Sequence, residues 1–203
     1  RLIRFDGADL GLIHHAYGTN GVITEVTMPT TPATEWVDLI LAYPDWRSCL
    51  EAGYRLASCE GLWLKEVGAI EAPAPQNYFL RHRKFLQPGD HVLVVIAARN
   101  AVAPLLDLAR ARVAYRSDTA TDDDKAGLPH AHHLVWNHTT LRALKTDPSM
   151  TYDQIGLPDD TPLDTLIEIS RRFAGEVVGH VEFMRSEGHV RFGFLPMVRY
   201  ESD

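Results

Sequence analysis

Residues 36–70 read WVDLILAYPDWRSCLEAGYRLASCEGLWLKEVGAI, and their pattern sets the fold class. Trp36 to Ala42 is mostly apolar and β-branched or large, as in a central strand. Asp45 then stands where a helix N-cap belongs, ahead of Trp46, Cys49, Leu50, Gly53 and Ala57 at helical spacing. Gly61 follows as a helix stop, and Leu62 to Ile70 resumes a strand pattern. The stretch is therefore strand, helix, strand.

The same alternation continues downstream. His91 to Ala98 (HVLVVIAA) reads as a buried strand, and Val102, Leu105, Leu106, Ala109 and Val113 trace a helical face after Asn100. Asp118 to Lys125 (DTATDDDK) is polar and acidic and is expected to be an exposed loop. Leu141 and Leu144 mark a short helix before Pro148, and Met150 to Leu157 a further strand. Thr161-Pro162 predicts a helix start, with Leu163, Leu166, Ile167, Ser170 and Phe173 on its buried side. Val177 to Met184 and His189 to Leu195 form a hairpin pattern around Arg-Ser-Glu-Gly, with Glu182 and Glu187 expected to be exposed. Strand–helix–strand units joined to hairpins predict an α+β fold: an antiparallel sheet with helices on one face, a ferredoxin-like unit used twice.

Composition narrows the function. The 203 residues carry 20 basic and 27 acidic side chains, a net charge of -7, with no basic stripe, which argues against nucleic-acid binding. No apolar run has the length of a membrane-spanning helix. Cys49 and Cys59 are too few and too far apart for a disulfide framework or a Cys-x-x-Cys pair, so a reducing, cytoplasmic setting is expected. His130, His132, His133 and His138 crowd into nine residues near Pro129 without the spacing of a helical metal pair. Neutral imidazoles can serve as a metal site or a general base, and the competing reading, preferred here, is turn and surface histidines with no metal ligands assigned.

Upstream, Gly21 to Met28 alternates apolar and polar residues and predicts a strand closed by Pro29 and Pro32. Before it stands Ala16-Tyr17-Gly18-Thr19-Asn20-Gly21-Val22-Ile23-Thr24-Glu25-Val26. Glycines at 18 and 21 allow a tight turn and close backbone approach to a ligand. Residues 17–32 closely resemble the segment that ends the FAD-binding domain in FAD-linked oxidases of the p-cresol methylhydroxylase and vanillyl-alcohol oxidase superfamily, in its glycolate oxidase and D-lactate dehydrogenase-like branch. The family pattern is Gly-Thr-x-Gly, two aliphatics, Thr-Glu and an aliphatic, and here it stands as Gly18-Thr19-Asn20-Gly21-Val22-Ile23-Thr24-Glu25-Val26.

The resemblance implies that residues 1–33 are the last strands of an incomplete FAD-binding domain and residues 34–203 a substrate domain of duplicated ferredoxin-like form. It implies FAD as cofactor, with Gly18, Thr19, Gly21, Val22 and Ile23 against it largely through backbone contacts, and Tyr17 as a further contact. It implies an enzyme that oxidises a CH–OH group of a small 2-hydroxy acid or alcohol, with the electron acceptor and any homo-oligomer left open. The chain would be a fragment, inactive alone. Gly179-His180-Val181-Glu182 lacks the Gly-Asp-Gly of the family's metal-bearing stretch, so a zinc-assisted step is not implied.

Within the substrate domain, Trp136-Asn137-His138-Thr139-Thr140 gathers an aromatic, an amide, an imidazole and two hydroxyls where a helix begins. His138 is the candidate base, with Asn137 beside it. The competing reading is that Asn137 or Thr139 caps the helix while Trp136 packs in the core. The alternative function is a non-enzymatic ferredoxin-like ligand-binding or assembly module, in which Gly18 to Gly21 is only a turn.

Overall fold

The computed structural model describes residues 2–14 and 16–200. The chain divides into two compact units, Arg1–Ala33 and Thr34–Asp203.

In the first unit none of the described residues is buried, and its regular structure is a single 3₁₀ segment, Gly7–Leu12. The strand expected over Gly21 to Met28 does not form. The alternating sequence is there, but a strand exists only as part of a ladder, and no described residue pairs with this one.

The second unit is α+β. Its first half runs β1 (Trp36–Tyr43), α1 (Trp46–Ser58), β2 (Leu64–Ile70), α2 (Ala74–Tyr78), β3 (His91–Ala98), α3 (Val102–Ala109) and β4 (Arg112–Ser117). Asp45 caps α1 as expected, its carboxylate accepting the Ser48 N–H at 2.8 Å. The chain then forms α4 (Ala120–Ala126), α5 (Asn137–Ala143), β5 (Met150–Tyr152), β6 (Ile155–Gly156), α6 (Leu163–Arg172), β7 (Val177–Val178), β8 (His180–Ser186), β9 (His189–Phe194) and β10 (Met197–Arg199).

The main sheet has the antiparallel order β4-β1-β3-β2-β8-β9-β6. The first four strands, with α1 and α3 as crossovers, are the ferredoxin-like order. The unit β6-α6-β8-β9 repeats β1-α1-β2-β3, so that β6-β9-β8 mirrors β1-β3-β2 from the far edge of the sheet. The two halves meet where β2 pairs with β8, Gly68 opposite Glu182 and Ile70 opposite His180. A second sheet, β5-β10-β7, stands apart from it. The strand expected over Met150 to Leu157 is thus two short ones in different sheets. The strand expected from Val177 breaks at Gly179 for the same reason.

The longest helices, α1, α3 and α6, cover one face around Leu39, Leu50, Leu93, Leu105, Leu166 and Val181. The opposite face, over Ile40, Ile70, Val94 and Ile96, is closed by α2, α5 and a 3₁₀ turn at Ala131–His133. Helical cover on that second face lies outside what the sequence predicts. The acidic loop expected at Asp118 to Lys125 is also helical. Thr119 caps α4 by accepting the Asp122 N–H at 3.2 Å, and acidic residues in the first turn suit the positive end of a helix. Among the described residues no helix is long and apolar enough to cross a membrane.

Candidate functional site

The second face of the sheet carries its polar residues in the middle of apolar strands. Asp38 pairs across β1 and β3 with Ile96, and Ile96 pairs with Glu66 on β2, so both carboxylates project from the same side. Glu182 and His180, on β8, join that side through their pairing with Gly68 and Ile70. Glu182 was expected to be exposed; it is 0 % exposed, because β8 is an interior strand between β2 and β9. Gly68 makes the room: a Cβ there would lie 2.7 Å from Glu182 Oε2 and 2.8 Å from Val135 Cγ1.

The loop from α4 to α5 lies over this face and is pinned by those carboxylates. The Ala131 N–H donates to Asp38 Oδ2 at 2.8 Å. The Trp136 N–H donates to Glu182 Oε1 at 2.7 Å, and its indole N–H to Glu66 Oε2 at 2.9 Å. Trp136 holds φ 51° and ψ −144°, a region that costs a non-glycine residue about 1–3 kcal/mol and persists only when its surroundings enforce it. Here a strained residue closes over a pair of carboxyls.

Those carboxyls are coupled. Burial pushes Glu182 and Glu66 up, and the charge of Glu182 pushes Glu66 further. Glu182 Oε2 accepts no N–H or hydroxyl hydrogen bond, which leaves it to a proton on Glu66. Pushed up to about 8, Glu66 is the carboxyl that holds a proton at neutral pH, next to Glu182. Burial drives His180 down to about 3, so its imidazole is neutral. Its Nε2 then donates to Glu182 Oε1 at 2.6 Å, and Nδ1 is buried with no partner. A carboxyl pair sharing a proton beside a neutral imidazole can give or take a proton near neutral pH. Glu66 is only partly buried and Trp136 above it is partly exposed, so the pair sits just beneath the surface.

His138 and Asn137 occupy the first turn of α5, both exposed. Asn137 Oδ1 accepts the Gln154 side-chain N–H at 2.7 Å, and neither Asn137 nor Thr139 caps the helix by its side chain. The Thr139 hydroxyl instead donates to the Leu134 carbonyl at 2.7 Å. The crowded histidines do meet: His132 and His133 rings are 4.0 Å apart, and His138 stands edge-on to His133 at 5.5 Å. Burial, and then the neighbouring imidazoles, push His132 and His133 down.

Tyr17, Gly18, Thr19, Gly21, Val22 and Ile23 all lie in the first unit. Tyr17 and Gly18 hold φ of 50° and 77°, forming a tight turn closed by the Thr19 N–H on the Ala16 carbonyl at 2.9 Å. The Thr19 hydroxyl is bound to the same carbonyl at 2.6 Å, and the Asn20 side chain donates to the Leu12 carbonyl at 2.5 Å. Val22 and Ile23 are exposed.

Sequence reasoning missed Glu66, Glu182, His180 and Asp38 as site residues. Each is a charged or imidazole residue inside a largely apolar strand, which is the signal that finds it. No family model matches the chain, and no curated protein matches it.

Proposed function

We propose that this chain is part of a flavin-dependent oxidoreductase that oxidises a CH–OH group of a small 2-hydroxy acid or alcohol. The observation that carries the reading is the segment Tyr17–Pro32, which resembles the end of the FAD-binding domain in FAD-linked oxidases. Its local form suits that role. Nothing lies within 4 Å of where a Cβ would stand at Gly18 or Gly21, so the backbone there is open to a ligand. Val22 and Ile23 present backbone groups outside any ladder beside exposed apolar side chains, a pairing suited to the edge and face of a planar heterocycle. Thr19 acts within the turn, where both of its donors are used, and so shapes the approach of Gly18 and Gly21.

FAD, when bound, supplies the two-electron acceptor that the side chains of this chain lack. The chain's own part is to hold the cofactor at residues 17–23 and to take the substrate's hydroxyl proton. His138 is assigned the second task, with the Asn137 amide beside it as a donor to orient substrate oxygen. A cytoplasmic setting accompanies this reading.

The first test is a visible absorbance spectrum of the protein purified at its natural length. A flavin band is expected, together with bleaching on addition of a 2-hydroxy acid or alcohol. Replacing His138 with Ala is expected to slow that bleaching by about 10²–10⁴-fold, the usual worth of a positioned base. Unchanged bleaching removes His138 from the mechanism. A colourless protein that also ignores added FAD overturns the oxidase reading and leaves a ferredoxin-like ligand-binding module.

A further inference from the structure

We propose that Asp38, Asp123 and His130 form a binding site for a divalent first-row transition ion, of the manganese-to-zinc range. The three come from separate elements: Asp38 from β1, Asp123 from α4, and His130 from the loop that follows. One donor atom from each lies within 4.8 Å of the others. The set lies wholly within the second unit and does not rest on the flavin reading.

Charge balance points to a cation. Asp123 is 1 % exposed and Asp38 is partly buried. Among the described residues, no Lys or Arg makes an ion pair with either carboxylate; the basic group closest to Asp123 is His130, its Nδ1 3.6 Å from Asp123 Oδ2. Burial, and then the charge of Asp123, push Asp38 up against the opposing pull of its Ala131 N–H bond. Lys65 acts on Asp38 without forming an ion pair with it, and Asp123, almost fully buried, faces His130 alone, so the two carboxylates are left short of positive charge. A divalent ion supplies it.

Each ligand is also held from behind. Asp38 Oδ2 accepts the Ala131 N–H at 2.8 Å, which leaves its other oxygen available. Asp123 Oδ1 accepts the Tyr115 hydroxyl, which leaves Oδ2 facing His130. His130 Nε2 lies 3.2 Å from Asp124 Oδ1; a proton donated there fixes the lone pair on Nδ1, the nitrogen nearer Asp123. Ligating histidines characteristically carry such an outer carboxylate. Behind Tyr115, the ring of His82 stands edge-on at 5.0 Å, 1 % exposed, with Nδ1 unpartnered. Asp123 is the charge that acts on it most.

The donor chemistry selects the class. Calcium and magnesium favour oxygen-only shells, whereas two carboxylates with one imidazole suit manganese, iron or zinc. Three protein ligands leave coordination positions for water or a further ligand.

The test uses the full chain, stripped with a chelator and titrated separately with Mn²⁺ and Zn²⁺ by calorimetry. One ion per chain is expected. Asp123→Asn and His130→Gln are each expected to weaken binding more than about 100-fold, since an outer-shell partner alone is worth about 10–100-fold. Asp124→Asn, at an exposed outer carboxylate, is expected to fall within that outer-shell range. A His132→Ala, His133→Ala, His138→Ala triple variant is expected to bind as the parent does. His130 is only partly buried, so His130→Gln should keep the metal-free unfolding midpoint while losing its rise with added ion. The proposal is overturned by no binding, by binding that survives both Asp123→Asn and His130→Gln, or by binding lost in the triple variant.

Discussion

Trp136 is held in a backbone conformation that an L residue avoids, and the hydrogen bonds from its amide and indole to Glu182 and Glu66 are what hold it there. The acidity of those carboxyls sets a pH dependence whose sign follows from linkage. Glu66, raised from 4.5 to about 8, binds more protons folded than unfolded between those values, so its contribution to stability falls as pH rises through them. Glu182, raised by burial, acts in the same direction. His180, lowered from 6.5 to about 3, acts oppositely, strengthening the fold as pH rises between those values. His82, His91, His132 and His133 are lowered too and act as His180 does; the histidine effect is complete only about one pH unit above 6.5, where Glu66 still titrates. Stability is therefore expected to decline from about pH 7.5 to about pH 9, and Glu66→Gln, whose amide can donate to Glu182 without titrating, should at least halve that decline. Urea midpoints at the two pH values measure it, and an unchanged slope would remove the shared proton. The sequence shows this pair poorly, because Glu66 and Glu182 meet only through the β2–β8 ladder. Local reading placed Glu182 beside a hairpin and so at the surface.

Elements whose signals are local were the most legible. The α1 start is an example, since Asp45 both accepts the Ser48 N–H and binds the Ser48 hydroxyl at 2.7 Å. Asp45→Ala is expected to cost about 1 kcal/mol, the usual worth of such a cap, measured by chemical denaturation. A change under a few tenths would mean that the cap contributes little beyond solvent. Strands β1 and β3 are equally plain, β3 as an unbroken apolar run after His91 and β1 as one interrupted only by Asp38. By contrast, the polarity of DTATDDDK predicts a loop, although Thr119 followed by acidic residues is a helix start. Gly21 to Met28 failed in the other direction: its alternation is a strand pattern, but pairing depends on a partner that composition cannot reveal. The Asp38, Asp123 and His130 grouping was equally hidden, since three elements far apart in sequence supply it.

At the scale of the molecule, every residue of the two hydrophobic clusters lies beyond Thr34. Residues 34–203 alone are expected to unfold cooperatively with a midpoint close to that of the whole chain. A broad or strongly lowered transition would show that residues 1–33 carry part of the stability. The α+β class and the ferredoxin-like order of the first half are legible as a count of strands and helices, while the shortened second repeat and the seam between the halves are not. That seam has a consequence for synthesis. All four strands of the first half are complete by Ser117, so they can close on one another while the remainder is still being translated. Until β8 emerges, β2 is an open edge of that half-sheet, and such edges invite wrong partners. The first half-sheet is thus a primer that can stand before the second repeat is made, with β2 as the edge on which β8 is laid.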